Sequence, residues 1–313
     1  MADDLFALAD LLVINDLSIA DLEVTDILDD CPLLAALNAE TASNGTLHKY
    51  TKETGAPVVG FRAANAGRGA LDSSIDTLVT VTLQILDASF MLDQALAGAY
   101  QKGGAAGLVA REARRHLRAA FFHAEKQIIN GVGNDASGFV GMKAATTIDA
   151  LADTMVINAA GDTADSCSSV YLLRSTPEGN DVSVIVGQGG QLEIGETTQT
   201  PALDGSGYSY PGLWTPIHAY LGLQVGSAQS IGRICNLDFD HTLTDDMIFQ
   251  AISKFPSGRQ PTHIAMNRNS LEKLRDSRTA TNATGAPAPR PTDVEGIPIV
   301  VTDAILNTEA VVA

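Results

Sequence analysis

The chain has 313 residues, 45% of them hydrophobic, which is enough to fill the core of one large domain or two modest ones. With 37 acidic against 20 basic residues the formal net charge is -17, so a general basic coat for gripping nucleic acid is excluded, and any DNA nearby is enclosed rather than bound. Cys31, Cys167 and Cys235 are odd in number and far apart, unlike zinc or redox pairs, and read as buried free thiols in a reducing compartment.

From Met1 to Glu40 every charged residue is acidic, and the first basic one is Lys49. Acids at the start stand where an export signal needs bases, and no apolar run approaches the roughly 18 residues of a membrane span. The expectation is a soluble protein without membrane contact. Leu5, Leu8 and Leu12, and again Leu22, Thr25, Asp26 and Asp29, fall at helical spacings, so residues 1–45 read as an arm of short amphipathic helices. An ordinary acidic surface segment fits the same residues.

Residues 46–90 form a second unit, an extended hairpin. Asn65-Ala66-Gly67 marks its tip, and the alternating run Thr77–Leu86 supplies one strand, paired with Pro57–Arg62. Such a hairpin has little apolar surface with which to bury itself and needs a neighbour. Residues 91–145 centre on a helix over 105–130, roughly 39 Å long at 1.5 Å per residue. Leu117, Phe121, Ala124 and Ile128 line its apolar side, while Arg111, Arg114, Arg115 and Arg118 form a basic stripe on another. The stripe is the candidate assembly interface, with the acidic arm as its complement; a solvated face, or one paired within its own subunit, is the alternative.

Residues 146–240 read as a sheet with long connections, its strands at Ser169–Arg174, Val182–Val186 and Leu221–Val225, and 197–216 as a loop carrying Trp214. In 241–313 a helix over 245–255, a strand over 262–266, a helix over 268–276, a loop to Pro291 and a strand Ile297–Val301 alternate. The fold class is α+β.

Residues with chemistry are scarce. Asp238-Phe239-Asp240-His241-Thr242 resembles the nucleophile motif of haloacid-dehalogenase-type phosphatases, where one Asp attacks phosphorus and magnesium sits between carboxylates. The chain that follows is short for the rest of that domain and lacks its acidic pair, and Thr244 explains the same residues as a helix cap with Asp245 and Asp246 in the first turn. Gly187–Gly190 lacks the Lys and following helix of a phosphate loop. His116 and His123 stand two turns apart, too far for shared ligation. No catalytic residue, cofactor or metal is expected.

Glu125–Gly133 with Gly138–Gly141 resembles the end of the spine helix in tailed-phage major capsid proteins. Met266–Arg278, Pro287–Pro291 and Glu295–Asp303 look like the apical domain of one such family, and Ser169–Arg174, Trp214 and Arg233–Asp238 match its middle region. The resemblance covers roughly residues 50–303. It implies an N-terminal arm (1–45), an extended hairpin loop (46–90), a peripheral domain with a long spine helix (91–145), a peripheral sheet with connections (146–240) and a mainly apical domain (241–313). It implies hexamers and pentamers closing into an icosahedral virion shell around double-stranded DNA held without sequence specificity. A separate scaffolding protein, a portal and a decoration protein follow as helpers, with assembly in the host cytoplasm. No lysine–asparagine pair marks a cross-link between subunits. An encapsulin-like compartment is the nearest alternative, and the phosphatase a more distant one.

Overall fold

The computed structural model describes residues 31–55, 58–67, 75–177, 181–187, 192–280, 282 and 286–313. The helices expected in the acidic arm fall at 1–30, outside the described residues, as does Gln188–Gly190.

Pro32 opens the one-turn helix α1 (Pro32–Ala36), a position where its missing N–H costs nothing, and β1 (Asn38–Thr41) follows. The strands β2 (Leu47–Gly55) and β3 (Ile75–Thr82) form a hairpin, and β4 (Gln84–Asp87) and β5 (Phe90–Asp93) lead back into the body. Asp93 caps α2 (Gln94–Gly98), its carboxylate accepting the Ala95 N–H at 2.7 Å. The spine helix α3 (Gly104–Asn130) runs 27 residues, about 40 Å, followed by the short α4 (Met142–Ala145).

The strands β6 (Val156–Asn158), β7 (Ser168–Leu173), β8 (Val182–Val186), β9 (Glu193–Ile194), β10 (Thr198–Leu203), β11 (Ser209–Thr215), β12 (Ile217–Val225) and β13 (Ile231–Leu237) come next. The chain closes with α5 (Asp245–Ser253), β14 (His263–Met266), α6 (Arg268–Ala280), β15 (Asp293–Val294) and β16 (Ile297–Val301).

Two larger sheets organise these elements. One has the order β1-β8-β12-β4, with β9 added on β12; the other has the order β15-β16-β14-β7-β13-β6. All residues of β7 and β13 are buried, which is why Val170–Leu173 of β7 reads as an apolar run and not as an alternating strand. The six-stranded sheet draws on chain from both sides of residue 240, because β7 pairs with β14, while β8 and β12 belong to the other sheet. Sheet membership is set by pairing across the chain, which a linear division cannot express.

Three expectations are corrected. β3 pairs with Leu47–Gly55 and not with Pro57–Arg62, leaving 58–67 between the strands. The run Thr77–Leu86 is two strands, since β4 pairs instead with β12. Residues 197–216 are no loop: β10 and β11 form a hairpin, and β11 adds onto β5, setting Trp214 opposite Met91. Its turn rests on Asp204, whose Oδ1 accepts the N–H groups of Ser206 and Tyr208 at 2.9 and 2.8 Å.

The spine ends for a steric reason. Gly131 has φ +54, and a Cβ there would lie 2.4 Å from the Gly141 nitrogen, so the loop 131–141 folds back against the helix only because both residues are glycine. Gln127 on the last turn fastens that loop, its Nε2 donating to the Phe139 and Asp135 carbonyls at 2.8 and 3.1 Å. In the described residues no helix is long and apolar enough to cross a membrane.

Candidate assembly surfaces

The hairpin β2–β3 is held at its base by two side chains. His48 Nε2 lies 2.7 Å from the Gln224 side chain, and the Tyr50 hydroxyl donates to the Val225 carbonyl at 3.1 Å. Farther out, Ile75 and Leu78 are exposed, as are Val58, Val59 and Phe61 between the strands. Each strand of roughly eight residues carries the hairpin about 26 Å outward. Several large apolar side chains on a projecting element make this hairpin a candidate interaction surface.

The arginine stripe is present as a surface. Arg111, Arg114, Arg115 and Arg118 are exposed on α3, while Ala113, Leu117, Ala120 and Phe121 are buried on its other side. Arg115 Nη1 reaches Glu112 Oε1 at 2.8 Å, an exposed i,i+3 pair that contributes little by itself.

Behind these surfaces two buried charged groups join the elements. Arg233 on β13, 1% exposed, donates through Nη2 to Glu309 Oε2 at 2.9 Å, through Nη1 to Asp149 at 2.7 Å, and through Nε to Ser169 at 3.0 Å. Lys143 of α4 adds a second cation at 2.9 Å from Glu309 Oε1. Burial pushes the Glu309 carboxyl up, but Lys143 and Arg233 outweigh it and hold the group below the ordinary carboxylate range. The C-terminal strand of chain is thereby fixed across the six-stranded sheet, and Asn236 fixes it again: its Oδ1 accepts the Val312 N–H at 2.8 Å and its Nδ2 donates to the Val312 carbonyl at 3.0 Å. Asn236 adopts φ +57 at a bulge in β13, a conformation asparagine tolerates better than most residues.

The second group is Glu125 of α3. Its carboxylate accepts the Leu34 N–H at 3.2 Å and the Thr302 hydroxyl, so the start of α1, the spine and the end of β16 meet at one side chain. Burial raises its pKa, the hydrogen bonds from Thr302, Leu34 and Leu33 opposing the shift. Neither Arg233 nor Glu125 stands out in the sequence as a joint, because their partners lie at separations of 64 to 177 residues.

The phosphatase-like residues form a turn. Asp238 follows β13, and its Oδ1 accepts the N–H groups of Asp240 and His241 at 3.0 and 2.8 Å and lies 3.0 Å from His241 Nδ1. Its Oδ2 accepts the Thr163 hydroxyl at 3.1 Å. The His241 backbone N–H, with the His241 and Thr163 side chains, holds this carboxyl well below the ordinary range. Thr244 caps α5, accepting the Met247 N–H at 3.4 Å, with Asp245 and Asp246 in the first turn. Among the described residues no group of three His, Cys, Asp or Glu side chains could hold a metal ion. All three cysteines are buried and free, and burial pushes the Cys235 thiol up to about 11, away from reactive thiolate chemistry.

The family profile described as major capsid protein GP7 matches residues 20–313. The chain belongs to this capsid protein family. No curated protein matches it. A structure of bacteriophage Epsilon15 is similar at 20% identity, covering 88% of each chain, with a TM-score of 0.62, and this likeness shows the fold. A capsid structure of bacteriophage JBD30 is similar at 9% identity, covering 93% of this chain and 97% of that one, with a TM-score of 0.49. The holo-SrpI encapsulin complex of Synechococcus elongatus PCC 7942 gives 9% identity, 66% and 87% coverage, and a TM-score of 0.45.

Membership of the major capsid protein family makes the chain a subunit of a shell. The α+β fold is that of tailed-phage capsid proteins, as the resemblance implied. The role is structural, and the shell is the site of the protein in the virion.

Proposed function

We propose that the chain closes into an icosahedral phage head through hexamers and pentamers, enclosing double-stranded DNA without reading its sequence. The observation that supports this reading is a completed core with a projecting hairpin whose Val59, Phe61 and Leu78 remain exposed. The six-stranded sheet with α5 and α6 serves as the apical part, and the spine with the β1-β8-β12-β4 sheet as the peripheral part. The protein is a structural subunit and not an enzyme: the acid that a phosphatase needs as nucleophile is engaged by the 238–241 turn through Oδ1 and by Thr163 through Oδ2. The net charge of -17 keeps DNA contacts weak, so packaging relies on enclosure. A separate scaffolding protein directs curvature, a portal occupies one vertex, and a decoration protein can bind outside; assembly takes place in the host cytoplasm.

The test is expression with and without a candidate scaffolding protein, followed by analytical ultracentrifugation and negative-stain electron microscopy. Closed shells, tubes or capsomers are expected, and the contents of closed shells distinguish a genome container from a protein-cargo compartment. A monomer under all conditions contradicts the proposal.

A further inference from the structure

Two observations from different parts of the chain converge on the spine helix. Residues 1–30 carry nine acids and no lysine or arginine. This segment enters the described structure at α1, whose first turn is held by Glu125: the carboxylate accepts the Leu34 N–H at 3.2 Å. Positions seven apart on an α-helix differ by only about 20° around the axis, so Arg111, Arg118 and Glu125 lie along one line of α3. At Glu125 that line is fully buried, whereas at Arg118 and Arg111 it is exposed.

The distances suit the acidic segment. Arg118 stands about 10 Å and Arg111 about 21 Å up the helix from Glu125, at 1.5 Å per residue. The ten residues before Cys31, Asp21 to Asp30, span at most about 33 Å and hold Asp21, Glu23, Asp26, Asp29 and Asp30. Every arginine of the stripe is therefore within reach of an acid of the same chain. Arg115 also meets Glu112, but an exposed pair of that kind exchanges partners at little cost.

We propose that the acidic arm, residues 1–30, lies along the arginine stripe of its own spine helix, docked by ion pairs from Arg111, Arg114, Arg115 and Arg118. The arm then sets acids beside four basic side chains placed within two turns. Its consequence for assembly, an arm held in place while subunits join, rests on the shell reading; the contact itself does not.

The test uses the full chain carrying Arg114→Lys and Arg118→Lys, which keeps the charge and adds primary amines. A carbodiimide joins such an amine to a touching carboxylate as an amide, the water lost being taken up by the reagent as a urea. Unlabelled and 15N-labelled chains are mixed at low salt, treated, digested and read by mass spectrometry. Expected are links from positions 114 and 118 to carboxylates within 1–30, joined within one label and reduced at least severalfold in 1 M salt, where the screening length is about 3 Å. No links to 1–30, or links between differently labelled chains as frequent as links within one label, overturn the proposal. Wild-type shells together with missing arm links refute the contact and leave the shell reading standing; arm links in a chain that never forms shells do the reverse.

Discussion

At Glu309 one carboxylate accepts from β13, α4 and β7, through Arg233, Lys143 and Ser169, in a setting where Arg233 has almost no access to water. Removing one member of a buried charged group leaves the other uncompensated. Glu309→Gln should therefore cost about 3 kcal/mol in urea denaturation. The pH dependence has a definite sign. Because the folded-state pKa is depressed below its ordinary value of 4.5, the charged carboxylate's contribution is whole above that value and fades as pH falls through the folded-state value. The stability gap between wild type and Glu309→Gln should shrink below about pH 4.5, and a gap constant down to pH 3 contradicts this role. None of this was legible in sequence, because a buried arginine inside an apolar strand looks the same on paper as an exposed one. The turn at Asp238 was legible in part: Thr244 with Asp245 and Asp246 announces a helix start, and the structure puts the cap there.

Among the elements, the spine helix was read within one residue of its observed start, since its apolar and basic faces both follow the 3.6-residue period and Asn130-Gly131 stops it. What the sequence did not disclose was why that stop is glycine. Gly131→Ala places a Cβ 2.4 Å from backbone at a φ of +54, so the loop 131–141 must move off the helix end; a loss of about 2–3 kcal/mol in thermal or urea unfolding is expected, and an unchanged midpoint contradicts it. The hairpins were harder to read for a common reason. Of Leu47–Lys52 only His48 is buried, and Thr198–Leu203 is mostly exposed, so no continuous buried face imposes the alternation from which a strand is recognised. The pairing of β3 was therefore assigned to the wrong segment and β10–β11 was taken for a loop, whereas the buried strands β7, β8 and β12 were found from their apolar runs.

For the whole molecule, family membership and fold agree with a chain whose core is complete but whose surface is not. The core is fastened at Arg233, Glu309 and Glu125, while Val59, Phe61 and Leu78 of the hairpin are exposed and, on the shell reading, meet a second copy. Val59→Ser with Phe61→Ser should then leave the subunit's unfolding midpoint unchanged, surface substitutions of this kind shifting stability by about 0.5 kcal/mol or less. Shell yield should fall at least tenfold. The deciding measurement is sedimentation velocity of the wild type and this double variant under one set of assembly conditions. Fast-sedimenting shells are expected from the wild type and a folded, slowly sedimenting species from the variant; shells in equal yield from both would contradict the hairpin's role in assembly.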